Sequence, residues 1–182
     1  MPDEYRVLHV DDDAAQLDLT ADFLERADPR LQVLTETSVG DALERIDAAA
    51  VDAVVSDYQM PDMDGLAFLD RVRDDYPDLP FVLFTGQGSE EIASEAIAAG
   101  VTDYLQKEVG PDQYTVLANR VTNAIERREM ATKLRRREAH LRQAQSVATL
   151  GSWWTDLESD DLYWSDEVYE IFETDERTTS LD

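Results

Sequence analysis

Along the first 120 residues, short apolar runs alternate with stretches in which apolar residues recur every three or four positions. The short runs predict five β-strands, at 5–10, 31–35, 51–56, 81–85 and 101–106. The stretches after them predict amphipathic helices, at 14–27, 38–46, 66–74, 89–100 and from 112 onward. This alternation predicts an α/β fold, a (βα)5 doubly wound parallel sheet with helices on both faces.

Charge makes any single acidic residue a poor marker of a site. The chain has 41 Asp and Glu against 16 Lys and Arg, a net charge of -25 and a pI near 4.1. Such a surface repels nucleic acid and anionic membranes, so neither is an expected partner. It suits concentrated salt, which screens surface repulsion beyond about 3 Å at 1 M, and we expect a halophilic, archaeal source.

Other features of the composition bound the location of the protein. It has no cysteine, which excludes disulfides and thiolate metal sites. The first ten residues lack the pattern of a signal peptide, and no run approaches the ~20 apolar residues of a membrane span. We therefore expect a cytoplasmic protein.

The carboxyl ends of four predicted strands carry polar side chains. Asp11 and Asp12 follow the first strand, Asp57 the third and Lys107 the fifth, and Thr85 ends the fourth. Because the carboxyl ends of parallel strands meet at one edge of a sheet, these side chains should lie together. Lysine is scarce in this chain, with Lys133 the only other one, so its placement at a strand end carries the most weight.

This combination predicts phosphoryl transfer to a carboxylate. Crowded carboxylates favour a hard cation with oxygen ligands, and Mg²⁺ fits because it also binds phosphate oxygens. Asp57 is the expected nucleophile, forming an acyl phosphate. Lys107 would neutralise the incoming phosphoryl group, and Thr85 would donate to one of its oxygens.

The segment VVSDYQMPDMDG around Asp57, together with the other strand ends, resembles a response-regulator receiver domain over residues 5 to about 120. The resemblance implies a flavodoxin-like fold. It also implies a role for each matching position: Asp12 as direct metal ligand and Asp11 through water, the main-chain carbonyl of Gln59 as a further metal ligand, Thr85 and Tyr104 as the switch pair, Gln59 and Gln87 as residues that tune dephosphorylation.

One residue departs from the family pattern. The family's lysine is usually followed by a cis proline, whereas Lys107 is followed by Glu108. A cis bond there would cost about 3 kcal/mol, so we expect a trans peptide. The loop after Lys107, and any dimer face on the following helix, are therefore left open by the resemblance.

The resemblance implies a partner and a limited activity. Asp57 would take a phosphoryl group from a histidine kinase or phosphotransfer protein, with self-phosphorylation and self-dephosphorylation only, because no kinase core is visible. One alternative is a phosphatase or phosphotransferase that uses Asp11 as nucleophile in an Asp-x-Asp pair with Asp13. The other is an interaction module that keeps the fold without phosphorylation. Asp13 is otherwise expected near the start of a helix, where its charge is favourable.

A helical linker is predicted over residues 121–149, following a receiver domain at 1–120. Apolar residues in it follow a 4-3 spacing, which permits a short coiled coil and a homodimer. These positions are Met130, Leu134, Leu141, Ala144 and Ala148, with Arg137 in the remaining gap. A solvated linker helix is an equal alternative, and a nucleic-acid-binding arm is a weaker one.

Residues 150–182 change to an aromatic, β-like pattern. GSWWTDLESDDLYWSDEVYEIFE predicts a strand, an Asp-rich turn at 159–161, a second strand and a helical turn. This stretch resembles the opening of a PAS domain, an α+β module larger than what remains here. We therefore expect a truncated PAS-like segment, a chain that is a fragment of a longer protein, and an output region beyond Asp182.

Overall fold

A computed structural model of the protein describes residues 4–86 and 90–148, with the short pieces 153–155, 162–165 and 168–169. The chain divides into two compact units, Met1–Met130 and Ala131–Asp182, which are considered separately below. Among the described residues, no helix is both long and apolar enough to cross a membrane.

The first unit contains one parallel sheet of five strands in the order β2-β1-β3-β4-β5. This order is that of flavodoxin-like proteins, in which the chain reverses direction across the sheet beside β1. The strands are β1 Tyr5–Val10, β2 Leu31–Glu36, β3 Ala53–Ser56, β4 Phe81–Thr85 and β5 Asp103–Gln106. The predicted (βα)5 sheet is confirmed.

Five helices cover the two faces of this sheet. They are α1 Ala14–Ala27, α2 Val39–Ala48, α3 Gly65–Asp75, α4 Glu90–Ala98 and α5 Asp112–Ala148. One apolar cluster joins the sheet to α2, α3 and α4, and a second joins it to α1 and α5. Alternate strand residues serve the two clusters, so Val7 faces one and Leu8 the other. β3 and β4 are therefore buried on both faces.

Helix ends follow the local signals of the sequence. Asp13 caps α1 by accepting from the backbone N–H groups of Ala15 and Gln16, and Ser38 caps α2 by accepting from that of Asp41. Each side chain satisfies donors that have no partner within the helix. Ser89, the first residue of the helix predicted at 89–100, lies outside the described residues.

The turn after α4 explains why β5 begins two residues later than predicted. Gly100 has a φ of 81°, a left-handed conformation that favours glycine at a helix end. Val101 then donates its N–H to the carbonyl of Ala96, closing the helix. Val101 therefore belongs to the helix cap, and pairing with β4 starts only after it.

The first part of α5 is fastened to the rest of the first unit by polar contacts. The Thr122 hydroxyl donates to Asp28 at 3.1 Å, and Arg30 donates to Glu126 at 3.0 Å. On another side of the helix, Arg120 donates to Asp103 at 2.7 Å. These contacts connect α5 to the loop between α1 and β2 and to the start of β5.

The second unit begins within α5, which closely matches the predicted long helix. Beyond Met130 the described side chains of α5 are mostly exposed, including those of Leu134 and Leu141. Two short strands, β6 Trp153–Thr155 and β7 Leu162–Trp164, pair antiparallel. The predicted Asp-rich turn lies outside the described residues. The two strands match the pattern predicted for the segment.

Candidate functional site

The carboxyl edge of the sheet brings the predicted side chains to one open cavity of about 320 Å³. Backbone hydrogen bonds hold the neighbouring strand ends in register: Asp57 N–H donates to Val10 at 2.8 Å, and Lys107 N–H to Thr85 at 2.7 Å. The cavity is lined by Asp11, Asp12, Asp57, Gln59, Thr85, Gly86 and Lys107. It contains side chains from four different strand ends.

Lys107 joins two carboxylates across this cavity. Its ammonium lies 2.7 Å from Asp11 Oδ2 and 2.8 Å from Asp57 Oδ1. Burial alone would lower the pKa of Lys107, but the hydrogen bonds and charges of the two carboxylates outweigh burial and raise it. The ammonium is therefore charged throughout the physiological range and balances part of the negative charge of the site.

Asp57 is fixed from several directions. Its side chain is only about 10% exposed, and its second oxygen accepts from the N–H of Gln59 at 2.7 Å. The Ser56 hydroxyl donates to its carbonyl at 2.7 Å. Gly65 packs so closely behind it that a Cβ would lie 2.5 Å from this same carbonyl oxygen. The carboxylate of Asp57 is thus held facing the cavity.

The three consecutive aspartates have three different environments. Asp11 is buried, and its Oδ1 accepts from the N–H of Asp13 at 2.9 Å. Asp12 is exposed at the cavity. Asp13 caps α1, as expected for an acid at a helix start rather than a member of the site. An Asp-x-Asp pair of Asp11 and Asp13 is therefore not formed at the cavity.

The predicted switch residues lie on adjacent strands but in different surroundings. Thr85 is buried at the cavity, whereas Tyr104 is half-buried and packs against the cluster that includes Ala96 and Leu83. The Tyr104 hydroxyl is shielded from solvent without a hydrogen-bond partner among the described residues, and burial raises its pKa. Gln87 lies outside the described residues.

His9 is fully buried in β1. Both ring nitrogens lack a hydrogen-bond partner within the described part of the chain. Burial lowers the pKa of His9 to about 4; the charge of Asp11 partly opposes this and that of Lys107 adds to it. The imidazole is therefore neutral at physiological pH.

The cavity is lined by oxygen donors, which are the type of ligand that a hard cation prefers. Three of the lining residues, Asp11, Asp12 and Asp57, carry carboxylates, which are oxygen ligands that Mg²⁺ prefers. The described residues contain no cluster of three or more acids and histidines already arranged around a metal position. The Lys107 ammonium lies between Asp11 and Asp57 instead.

Three structural residues of the site were missed by sequence reasoning: Ser56, Gly65 and Gln113. Gly65 had a signal in the Asp-Gly turn, but the close approach to Asp57 appears only in three dimensions. Gln113 had none. Its side chain binds the loop after Lys107, in which the Lys107–Glu108 peptide is trans, as predicted.

This parallel α/β sheet, with acids and a lysine at its strand ends, has the architecture of a signalling receiver. The response regulator receiver domain family matches residues 7–119, more than half of the chain. The chain belongs to this family.

Named relatives agree with this assignment. The cyclic di-GMP phosphodiesterase response regulator RpfG of Xanthomonas campestris is 33% identical over 139 residues, covering 75% of this chain and 36% of RpfG. The transcriptional regulatory protein FixJ of Bradyrhizobium diazoefficiens is 30% identical over 124 residues, covering 68% of this chain and 58% of FixJ. The chain thus spans only part of each relative.

A solved structure shows the same fold over the receiver. The CheY-like response regulator receiver domain protein from Methanospirillum hungatei has a TM-score of 0.62 and 27% sequence identity. The match covers 70% of this chain and 98% of that one.

Proposed function

We propose that this chain is the phosphoacceptor receiver of a two-component phosphorelay, with Asp57 taking the phosphoryl group from a histidine kinase or phosphotransfer protein. The observation that supports this most is the arrangement of Asp57, a carboxylate held by Lys107 and the N–H of Gln59 at the mouth of an open cavity. Receiver domains of response regulators interact with such donors.

In the proposed reaction, a carboxylate oxygen of Asp57 forms a bond to phosphorus as the bond from phosphorus to the donor's imidazole nitrogen breaks. The imidazole leaves with the electron pair, and the product is an acyl phosphate. Lys107 would exchange part of its contact with Asp57 for a phosphoryl oxygen. Thr85, buried beside Gly86, would donate its hydroxyl to another.

Mg²⁺ belongs to the same proposal. Asp12, Asp57 and the carbonyl of Gln59 would hold it directly, and Asp11 through water. When bound, the ion neutralises charge on the phosphoryl oxygens. Asp12 suits direct contact because it is exposed at the cavity, whereas Asp11 is buried against Lys107.

Labelling with a small radioactive acyl phosphate, in Mg²⁺ and high salt, tests the acceptor. We expect stable incorporation that is lost in Asp57→Asn and kept in Asp62→Asn, a matched control at an exposed position of the following loop. A label that survives Asp57→Asn but disappears in Asp11→Asn would instead support the phosphatase alternative. Absence of any label in the wild type would favour the non-phosphorylated module.

Signal output is proposed to use Thr85 and Tyr104. Phosphorylation would draw the Thr85 hydroxyl toward the phosphoryl group, and Tyr104 would move together with the adjoining helix. The Tyr104 hydroxyl has no hydrogen-bond partner among the described residues, so no hydrogen bond seen there would have to break when the ring moves. Gln59 and Gln87 are proposed to tune the access of water to the acyl phosphate.

The linker helix is proposed to pair with a second copy of the chain. Met130, Leu134 and Leu141 are all more than half exposed and lie on the predicted seam. In a parallel, in-register pair, Lys133 of one copy flanks the seam opposite Glu138 of the other, which favours that orientation. Arg137 within the seam weakens the pairing.

Because the chain has no cysteine, single cysteines test this pairing cleanly. In a parallel dimer, Leu134→Cys should form an intermolecular disulfide under mild oxidation. Ala139→Cys, on the outer face of the same helix, is the control and should not. Equal crosslinking at both positions would contradict the seam.

The remaining parts of the proposal concern context. We infer that the antiparallel pair β6 and β7 opens a PAS-like domain, supported by the aromatic residues Trp153 and Trp164, and that the receiver passes its signal toward it. We also infer a halophilic, cytoplasmic setting from the net charge of -25. Unfolding measured against salt concentration tests the latter, with stability rising steeply toward molar salt.

A further inference from the structure

The loop that follows Lys107 is held by a single side chain. Gln113, in the first turn of α5, accepts from the N–H of Glu108 through Oε1 at 2.9 Å. Through Nε2 it donates to the carbonyl of Glu108 and, at 2.9 Å, to that of Gly110. One amide group thus binds three backbone groups of a single short loop.

These contacts fix the backbone on the far side of Lys107. The N–H of Lys107 is anchored to Thr85 at 2.7 Å, and the peptide that follows is held by Gln113 through the N–H of Glu108. Both peptide groups flanking the Lys107 Cα therefore have fixed partners. The four-carbon side chain of lysine is flexible, so fixing the backbone at its Cα limits the range of positions that the ammonium can reach.

The loop needs such a partner because its sequence supplies little rigidity next to the lysine. Residue 108 is a glutamate, so its φ is not restricted as that of a proline would be. Gly110 has a φ of 113°, a conformation that glycine adopts at no steric cost, and its own carbonyl accepts from Gln113. Pro111 then leads into α5.

We propose that Gln113 is a positioning residue that directs Lys107 toward Asp57 and Asp11. It does so through its three hydrogen bonds to the backbone of Glu108 and Gly110, which are called the clasp below. This inference rests on the proposed phosphoacceptor function and deepens it. Gln113 does not line the phosphorylation cavity, so it acts on the reaction only through Lys107.

Two substitutions test the clasp. Gln113→Ala removes all of its contacts, and we expect labelling of Asp57 by a small acyl phosphate to slow by about two- to tenfold, the range for losing a net hydrogen bond or two. Gln113→Glu keeps the size of the side chain but turns a carboxylate toward two carbonyls, so it should be at least as slow. Gln143→Ala, exposed on the same helix, is the matched control and should label at the wild-type rate.

A double-mutant comparison separates positioning from a general effect on the fold. In a Lys107→Ala background, where labelling is already slow, adding Gln113→Ala should cause no further loss. A further loss of the same size would overturn the inference, because Gln113 would then act by another route. Recovery of the wild-type rate in Gln113→Glu would also overturn it, since side-chain packing alone would explain the effect.

Amide hydrogen exchange gives a readout independent of labelling. The Glu108 N–H should be protected in the wild type and exchange faster in Gln113→Ala, with little change at Asp57 N–H. If the wild type takes no label at all, the proposed function fails, whereas the clasp itself is still decided by this exchange. Unchanged protection at Glu108 in Gln113→Ala would overturn the clasp.

Discussion

Two leucines summarise how the halves of this chain differ. Leu83 in β4 is fully buried in the core of the first unit, whereas Leu134 in α5 is 58% exposed. The first unit encloses most of its large apolar side chains between a sheet and helices on both faces. The helix beyond Met130 instead presents apolar residues to solvent. The receiver can be stable by itself, while the exposed seam gains stability only when another surface covers it.

The same contrast holds for charge. At the proposed phosphorylation site the charged groups are largely buried and of opposite sign, with Lys107 between Asp11 and Asp57. Residues 121–143 of the helix instead carry seven basic and three acidic residues on a largely exposed surface. Charge in the first region is therefore fixed by local geometry, and in the second it is open to screening by salt.

The largest expected effect comes from one substitution made in both regions. Leu83→Ala should lower the free energy of unfolding by about 2–5 kcal/mol, because it removes apolar contacts and leaves a cavity. Leu134→Ala should change it by less than about 0.5 kcal/mol in dilute protein. Chemical denaturation in high salt measures both. A similar loss in the two variants would break the distinction between enclosed and exposed apolar surface.

Acid should destabilise the first unit through His9. Unfolded histidine binds a proton below pH 6.5, whereas the buried imidazole does so only near its pKa of about 4. This contribution to stability is therefore full above pH 6.5 and is lost as the pH falls from 6.5 to 4. The loss amounts to about 2–3 kcal/mol by pH 4.5. His9→Leu should flatten the dependence of unfolding free energy on pH in this range, and an unchanged slope would contradict the assignment.

Gly65 should tolerate no side chain. A Cβ would lie 2.5 Å from the Asp57 carbonyl oxygen and 2.7 Å from Leu83 Cδ2, so Gly65→Ala must displace the backbone that carries Asp57. We expect a loss of about 1–3 kcal/mol of stability, typical of overpacking, and slower labelling of Asp57. Gly40→Ala, in α2 with open space around it, is the control. Thermal unfolding and labelling rates compare the two.

The smallest effect is expected at the contact between Asp28 and α5. Hydrogen bonds from Arg30 hold the pKa of Asp28 at about 2, and Thr122 adds another. The resulting stability is present above pH 3.8 and is lost as the pH falls toward 2. Because Arg30 is partly exposed, Asp28→Asn should cost only about 1 kcal/mol at neutral pH. A variant as stable as the wild type at pH 6, by urea titration, would contradict this.

Much of the fold could be predicted because the apolar pattern and the residues at helix ends determine structure within a few residues of themselves. Apolar periodicity placed the strands and helices of the first unit within a few residues, and Asp13, Ser38 and Gly100 each act where a helix begins or ends. The alternation of strands and helices along the chain predicts a parallel sheet. Because parallel strands end at the same edge, the side chains at their carboxyl ends could be grouped from the sequence alone.

The rest depends on contacts between residues distant in sequence or on packing that leaves no pattern. Nothing in the sequence around Gln113 distinguishes it from other polar residues of a helix start. The direct contact of Lys107 with both Asp11 and Asp57 also could not be predicted, because it joins residues that are far apart in the sequence. The close packing of Gly65 depends on the backbone of Asp57 and also on the side chain of Leu83, which lies in β4.

The polar contacts near the start of α5 anchor it to the first unit. Arg120, Thr122 and Glu126 bind Asp103, Asp28 and Arg30 at different places on the first unit, so this stretch cannot slide along the helix axis without breaking all of them together. Turning it about that axis would also disturb them, because Arg120 and Thr122 bind partners on different parts of the first unit. Residues 120–126 of α5 are therefore an integral part of the first unit.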